Sequence, residues 1–158
     1  MIIEFELNGR LIKSEIDPGK TLLEYLRSEE IYSVKHGCDH GECGACTVLI
    51  NDKAMNACLI LMPMVEGKKV ETVESFSDHE HLHELQESFL AEGAAQCGFC
   101  TPGMIATLEA LKRENIEINE ENIRDSLNGN LCRCTGYVKP VEAALKTLAK
   151  GNIQKVSS

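Results

Sequence analysis

Eight cysteines in a chain of 158 residues, and the way they are grouped, constrain this sequence more than any other feature. Cys38, Cys43 and Cys46 stand as C-x₄-C-x₂-C, and Cys58 follows them. Cys97 and Cys100 lie in Ala95-Gln96-Cys97-Gly98-Phe99-Cys100-Thr101-Pro102-Gly103, and Cys132 and Cys134 in Leu131-Cys132-Arg133-Cys134-Thr135-Gly136-Tyr137. Thiols at such spacings act as crosslinks or ligands more than as packing groups. The fold must therefore gather them into two groups of four, and the rest of the chain reads as the scaffold that does so.

Three uses of eight thiols compete. Disulfides suit small secreted domains, but the N-terminus shows no basic region followed by an apolar stretch, and the chain is larger than most stapled scaffolds. Zinc prefers separated C-x₂-C pairs. The first quartet instead meets the plant-type [2Fe–2S] spacing C-x₄-C-x₂-C…C. Its loop, His36 to Cys46, carries Gly37, Gly41 and Gly44. Those glycines allow positive φ and close backbone approach, so that amide N–H groups can point at sulfur. Cys58 falls in an expected strand, and its role as a ligand rests on the other three needing a fourth. The second quartet, Cys97, Cys100, Cys132 and Cys134, is less diagnostic by spacing alone. Soft thiolates suit zinc as well as iron–sulfur centres there, although a Cys-x-Cys pair is unusual for structural zinc.

Composition removes other classes. A formal charge of -9 opposes binding to nucleic acid phosphates or an anionic membrane surface. Aromatic residues at 4%, with no Trp, leave no stacking platform for bases. No apolar run approaches the ~20 residues of a spanning helix. The expected setting is cytoplasmic, with no nucleic acid or membrane partner.

Local pattern predicts an α+β chain. Ile2 to Leu7 and Leu11 to Ile16 read as strands joined at Asn8-Gly9, a type I′ turn signal. Thr21 and Glu24 form a capping box that opens a short helix through Leu22, Leu23, Tyr25 and Leu26. Thr47 to Ile50 and Lys53 to Leu61 read as a second hairpin around Asn51-Asp52, and Val70 to Val73 as a last strand. This is the pattern of a small β-grasp, ferredoxin-like sheet. Glu74 to His83 is polar and marks the expected boundary between a first domain, residues 1–75, and a second, residues 76–158. His79, His81 and His83 alternate there and share no helix face, so they read as linker and helix start rather than a metal tract. Four helices follow: Leu82 to Ala94, one with Thr101 as N-cap and Pro102 at its first position, one capped by Asn119 and stopping near Gly129, and one from Pro140 to Lys150 ending at Gly151. The late cysteines fall at the junctions before the second and fourth of these.

The three cysteine motifs in this order resemble the iron–sulfur portion of the molybdenum hydroxylases, which include xanthine dehydrogenases, aldehyde oxidoreductases and carbon monoxide dehydrogenases. The resemblance covers nearly the whole chain. It implies a β-grasp ferredoxin domain and a four-helix-bundle domain, each holding one [2Fe–2S] cluster on its four cysteines. It further implies that Gln96 hydrogen-bonds a pterin, and that Cys134 is both a cluster ligand and the nearest contact to that pterin. Arg133, between two ligands, either offsets cluster charge or faces solvent. No flavin or molybdenum domain accompanies these motifs. The resemblance is therefore to a small subunit whose molybdopterin-binding large subunit and FAD-binding medium subunit are separate chains, in a heterotrimer or a dimer of heterotrimers. No catalytic residue is expected in it; its task is electron transfer. A free-standing two-cluster ferredoxin or redox sensor, and a zinc-bound structural adaptor, are the competing readings.

Overall fold

The structure, a computed structural model, describes residues 1–78 and 80–153; His79, one of the alternating histidines, lies outside the described residues. Among the described residues the chain is α+β, with a mixed five-stranded sheet and five α-helices. Strands β1 (Ile2–Leu7) and β2 (Arg10–Glu15) pair antiparallel. Asn8 and Gly9 between them take φ of 50° and 79°, the left-handed pair that a type I′ turn requires. Helix α1 (Leu22–Ser28) starts on the expected capping box: Thr21 Oγ1 accepts the Glu24 N–H at 3.2 Å, and the Glu24 carboxylate accepts the Thr21 N–H at 2.7 Å. Strands β3 (Thr47–Ile50) and β4 (Lys53–Asn56) turn at Asn51 and Asp52, again left-handed at 49° and 66°. Strand β5 (Lys69–Glu71) completes the sheet in the order β2-β1-β5-β3-β4, parallel to β1 and antiparallel to β3. Ile3, Phe5, Val48, Ile50 and Val70 bury one face of the sheet against Leu22 and Leu26 of α1.

The second half holds helices α2 (Glu84–Ala91), α3 (Thr101–Arg113), α4 (Glu120–Leu127) and α5 (Val138–Ile153). Leu85, Phe89, Met104, Leu108, Ile123, Leu127, Val141 and Leu148 form a second apolar cluster among them. Among the described residues no helix is long and apolar enough to cross a membrane.

Several element ends differ from expectation, each for a local reason. Strand β4 stops at Asn56, so Cys58 lies in a 3-10 turn (Ala57–Leu59) and not in a strand. The turn begins where Ala57 N–H meets the Cys46 carbonyl at 3.2 Å, which carries Cys58 to Cys46. Strand β5 ends before Thr72, whose N–H is taken by Asn8 Oδ1 at 2.8 Å. Thr101 is the first residue of α3 and not its cap; Cys100, in helical conformation with no side-chain cap bond, holds the N-cap position. Its carbonyl accepts the Met104 N–H at 3.0 Å, and its sulfur is turned to the other late cysteines. Helix α2 is shorter than Leu82 to Ala94 because His83 caps it: His83 Nδ1 accepts the Leu85 N–H at 3.3 Å, and Gln86 Oε1 accepts the His83 N–H at 2.9 Å. Asn119 caps α4 as expected, accepting the Asn122 N–H at 2.8 Å, and the helix stops at Leu127, short of Gly129. Helix α5 opens before Pro140, whose missing N–H falls among the orphan donors of a first turn, and runs past Gly151.

The two halves are bolted together. Helix α3 packs on β3. Val48 and Ile50 face the sheet's own cluster, so Leu49 points to the opposite face, where it is fully buried. At the far end of α3, Arg113 Nη1 reaches Glu71 of β5 at 2.7 Å and Asp52 of the β3–β4 turn at 2.5 Å, while its Nε donates to Glu109 at 2.9 Å. Burial opposes charge on Glu71, but the hydrogen bonds from Arg113 and Lys69 outweigh it and hold the carboxyl below its ordinary 4.5. A carboxyl lowered by folding contributes stability that is complete above its ordinary value and is lost as the pH falls through its folded value. Replacing Arg113 by Ala is therefore expected to destabilise the chain by about 2 kcal/mol at neutral pH, given that Asp52 is largely in water and adds little. Denaturant titrations at pH 7 and pH 4 should show the variant losing less than the parent on acidification; equal losses would remove Glu71 from the latch.

Candidate metal centres

The first quartet is built by the loop that leads from α1 into β3. Cys38 Sγ accepts the N–H groups of His40 and Cys43, each at 3.4 Å, with Glu42 N–H also directed at it. These bonds favour the thiolate and bring Cys38 down to about 6. Cys43 and Cys46 are pushed up by burial, Cys46 to about 12. Gly37 closes the loop, since a Cβ there would stand 2.8 Å from Cys43 Sγ. Cys58 arrives on its 3-10 turn and gives its N–H to Cys46 sulfur.

The second quartet sits where the junctions α2–α3 and α4–α5 meet. Cys97 and Cys134 are exposed, with their sulfurs 3.6 Å apart. Cys100 is buried, which raises it to about 12, and its sulfur meets that of Cys132. Burial also opposes the Cys132 thiolate. The Thr135 hydroxyl at 3.1 Å and N–H at 3.4 Å, with the Cys134 N–H, outweigh it and bring Cys132 below its ordinary value. Sequence motifs quote Thr135 and Tyr137 without giving them a task. The structure gives both one, because Tyr137 Oη accepts the Cys132 N–H and donates to the Asn130 carbonyl, both at 2.9 Å.

In both quartets the sulfurs meet two by two: Cys38 with Cys43, Cys46 with Cys58, Cys97 with Cys134, and Cys100 with Cys132. Among the described residues no three Cys, His, Asp or Glu side chains form a group set to hold a metal ion. Two pairs of soft donors, each with amide N–H groups aimed at sulfur, suit a two-iron core with one pair on each iron. Cys₄ donation of this kind is the chemistry of a one-electron carrier. Gln96 is exposed on the segment before Cys97, and Arg133 is exposed between Cys132 and Cys134. Of the alternating histidines, His83 serves as a helix cap and His81 is exposed beside Asp78 at 3.4 Å.

A contact that no local pattern announces joins the two quartets. Gly44 and Gly103 pack backbone to backbone; a Cβ on Gly44 would stand 2.1 Å from the Gly129 carbonyl oxygen, and one on Gly103 2.3 Å from the Gly44 oxygen. Buried Asn130 donates to the Gly44 carbonyl at 3.1 Å.

Comparison with known proteins shows the family. Residues 5–91 match the family model of the 2Fe-2S iron-sulfur cluster binding domain, and residues 72–145 that of the [2Fe-2S] binding domain. The nicotine 6-hydroxylase small subunit of Paenarthrobacter nicotinovorans is 42% identical over 90% of this chain and 87% of its own. The xanthine dehydrogenase iron-sulfur-binding subunit of Escherichia coli O157:H7 is 43% identical over 90% and 91%. The crystal structure of the aldehyde oxidoreductase from Desulfovibrio desulfuricans superposes with a TM-score of 0.90 at 39% identity, over 97% of this chain and 17% of that one. With both cluster-binding models matched and relatives of this length aligned nearly end to end, the chain belongs to the iron–sulfur, electron-transferring subunits of the molybdenum hydroxylase oxidoreductases.

Proposed function

We propose that this chain is the electron conduit between a molybdopterin site and FAD held on partner subunits. Cys38, Cys43, Cys46 and Cys58 hold one [2Fe–2S] cluster in a β-grasp domain, residues 1–75. Cys97, Cys100, Cys132 and Cys134 hold another in a helical domain, residues 76–158. The observation that carries this reading is the pairing of the thiols in both quartets, supported by the two separate apolar clusters that underlie them. Each bound cluster supplies a reversible one-electron step at nearly fixed geometry.

The chain's own residues set the conditions for that step. Amide N–H groups on Cys38 and Cys132 offset anionic charge on sulfur, and burial of Cys46 and Cys100 keeps water from one side of each site. Gln96 offers an amide with both donor and acceptor character, which matches the edge of a pterin. Its exposure beside the exposed pair Cys97 and Cys134 supports assigning this face, with Cys134 as nearest contact, to a molybdopterin-binding large subunit. An FAD-binding medium subunit completes a heterotrimer or a dimer of heterotrimers. Eight unpaired thiols suit the reducing cytoplasm.

Iron and acid-labile sulfide analysis should give about four of each per chain, with overlapping S = 1/2 signals from both clusters on reduction. Zinc in place of iron at either site would overturn the conduit. Cys100→Ser should remove the second signal and leave the first, and loss of both together would mean that the quartets are not independent sites. In the assembled enzyme, Gln96→Ala should keep both clusters and slow their reduction by substrate; unchanged reduction would detach Gln96 from the pterin.

A further inference from the structure

We propose that Tyr137 is a positioning residue for electron uptake at the second quartet: it directs the Thr135 hydroxyl proton onto the Cys132 sulfur, and this side-chain donor raises the reduction potential of the cluster there without moving that of the first. The inference rests on the assignment of the two quartets as cluster ligands. Thr135 Oγ1 lies between the Cys132 sulfur at 3.1 Å and the Tyr137 N–H at 3.2 Å. A backbone N–H can only donate, so the hydroxyl oxygen accepts from Tyr137. Its single proton is then left for Cys132, and a ligating thiolate has no proton to offer in return. The direction of the O–H···S bond is fixed by its neighbours.

Tyr137 keeps its N–H in place at a conformational cost. Its φ is 66°, in the left-handed region where a bulky aromatic residue is an outlier. The hydroxyl holds the turn from the other end, accepting the Cys132 N–H and donating to the Asn130 carbonyl. The ring packs against the helical apolar cluster, and the Tyr137 carbonyl accepts the Val141 N–H at 3.2 Å as α5 begins. One side chain thus clasps the ligand segment on both sides of Thr135. It also engages the N–H of Cys132 itself, so the donors at that sulfur are the Thr135 hydroxyl and the N–H groups of Cys134 and Thr135.

The first quartet is built differently. The N–H groups of His40 and Cys43 reach Cys38, that of Ala45 reaches Cys43, and that of Cys58 reaches Cys46. All residues except proline carry that donor, so an exchange of side chain leaves it in place. An exchange at position 135 does not. A donor aimed at sulfur favours the more negative, reduced state of a cluster. When one electron enters the oxidised cluster, which is thereby reduced, the hydroxyl proton stays on oxygen and no bond changes place.

The test is a redox titration of the iron-loaded chain, with each cluster followed by its EPR signal. Thr135→Val keeps the branched shape and lacks the hydroxyl. At the potential where the parent's second cluster is half reduced, that of Thr135→Val should be several-fold less reduced, while the first titrates as in the parent. Thr135→Ser should restore the parental curve. Tyr137→Phe should shift the curve in the direction of Thr135→Val, and the double variant no further than Thr135→Val alone, because Tyr137 acts through Thr135. An unmoved second cluster in iron-replete Thr135→Val overturns the donor. No shift, a shift the other way or additive shifts on Tyr137→Phe overturn the positioning role. If Thr135→Val loses iron, proton ENDOR of the reduced parent decides. A proton coupled to the second cluster should vanish on brief transfer to heavy water, ahead of the slower amide protons, and should be present again in Thr135→Ser; its absence from the parent overturns the donor. A parent chain without iron on the second quartet overturns the ligand assignment instead, a failure that iron analysis separates from the others.

Discussion

The carbonyl oxygen of Gly44 is the point on which the structure turns. It accepts the Thr47 N–H at 3.2 Å, the Thr47 hydroxyl at 2.7 Å and the Asn130 amide at 3.1 Å. A buried carbonyl left without partners would cost about 1–3 kcal/mol, and this one is satisfied from both halves of the chain at once. Its Thr47 bonds set where the first cysteine loop ends and β3 begins. Its Asn130 bond fixes the segment from which Cys132 is presented. Gly103 can approach it only because Gly103 carries no side chain, and the Gly129 carbonyl can approach Gly44 for the same reason.

Each quartet has a sheltered side and an open one. Cys46, Cys58 and Cys100 are buried, whereas Cys97 and Cys134 are exposed and Cys38 lies at an open loop. Desolvation acts against charge on Cys46 and Cys100, and amide or hydroxyl donors act for it on Cys38 and Cys132. An electron carrier needs both: a dry wall that holds geometry, and polar groups that make added negative charge tolerable. The chain meets this with backbone N–H groups and one threonine.

Much of this was legible from local chemistry. Asn8-Gly9 and Asn51-Asp52 imposed their turns, Thr21 with Glu24 opened α1, and Asn119 opened α4, because each of these signals acts within four residues. What escaped the sequence was set at long range. Cys58 left its strand because the sulfur had to reach Cys46, and Cys100 displaced Thr101 from the cap because its thiol had to face Cys132. Arg113 reads as an ordinary helix-end cation until Glu71 and Asp52 are seen beside it. Asn130 carries no motif signal, since its work is done by a single amide toward a loop 86 residues away.

The buried position of Leu49 has a practical consequence for protein engineering. A fragment cut near residue 75 would retain the apolar cluster between sheet and α1, yet it would bare Leu49 and the flank of β3 that α3 covers. The complementary helical fragment would bare the matching face of α3. Apolar surface uncovered on both pieces invites self-association. Chimeras that exchange one half for that of a relative therefore need the β3–α3 seam and its glycines transplanted as a unit, even though none of those residues is a cysteine of either quartet.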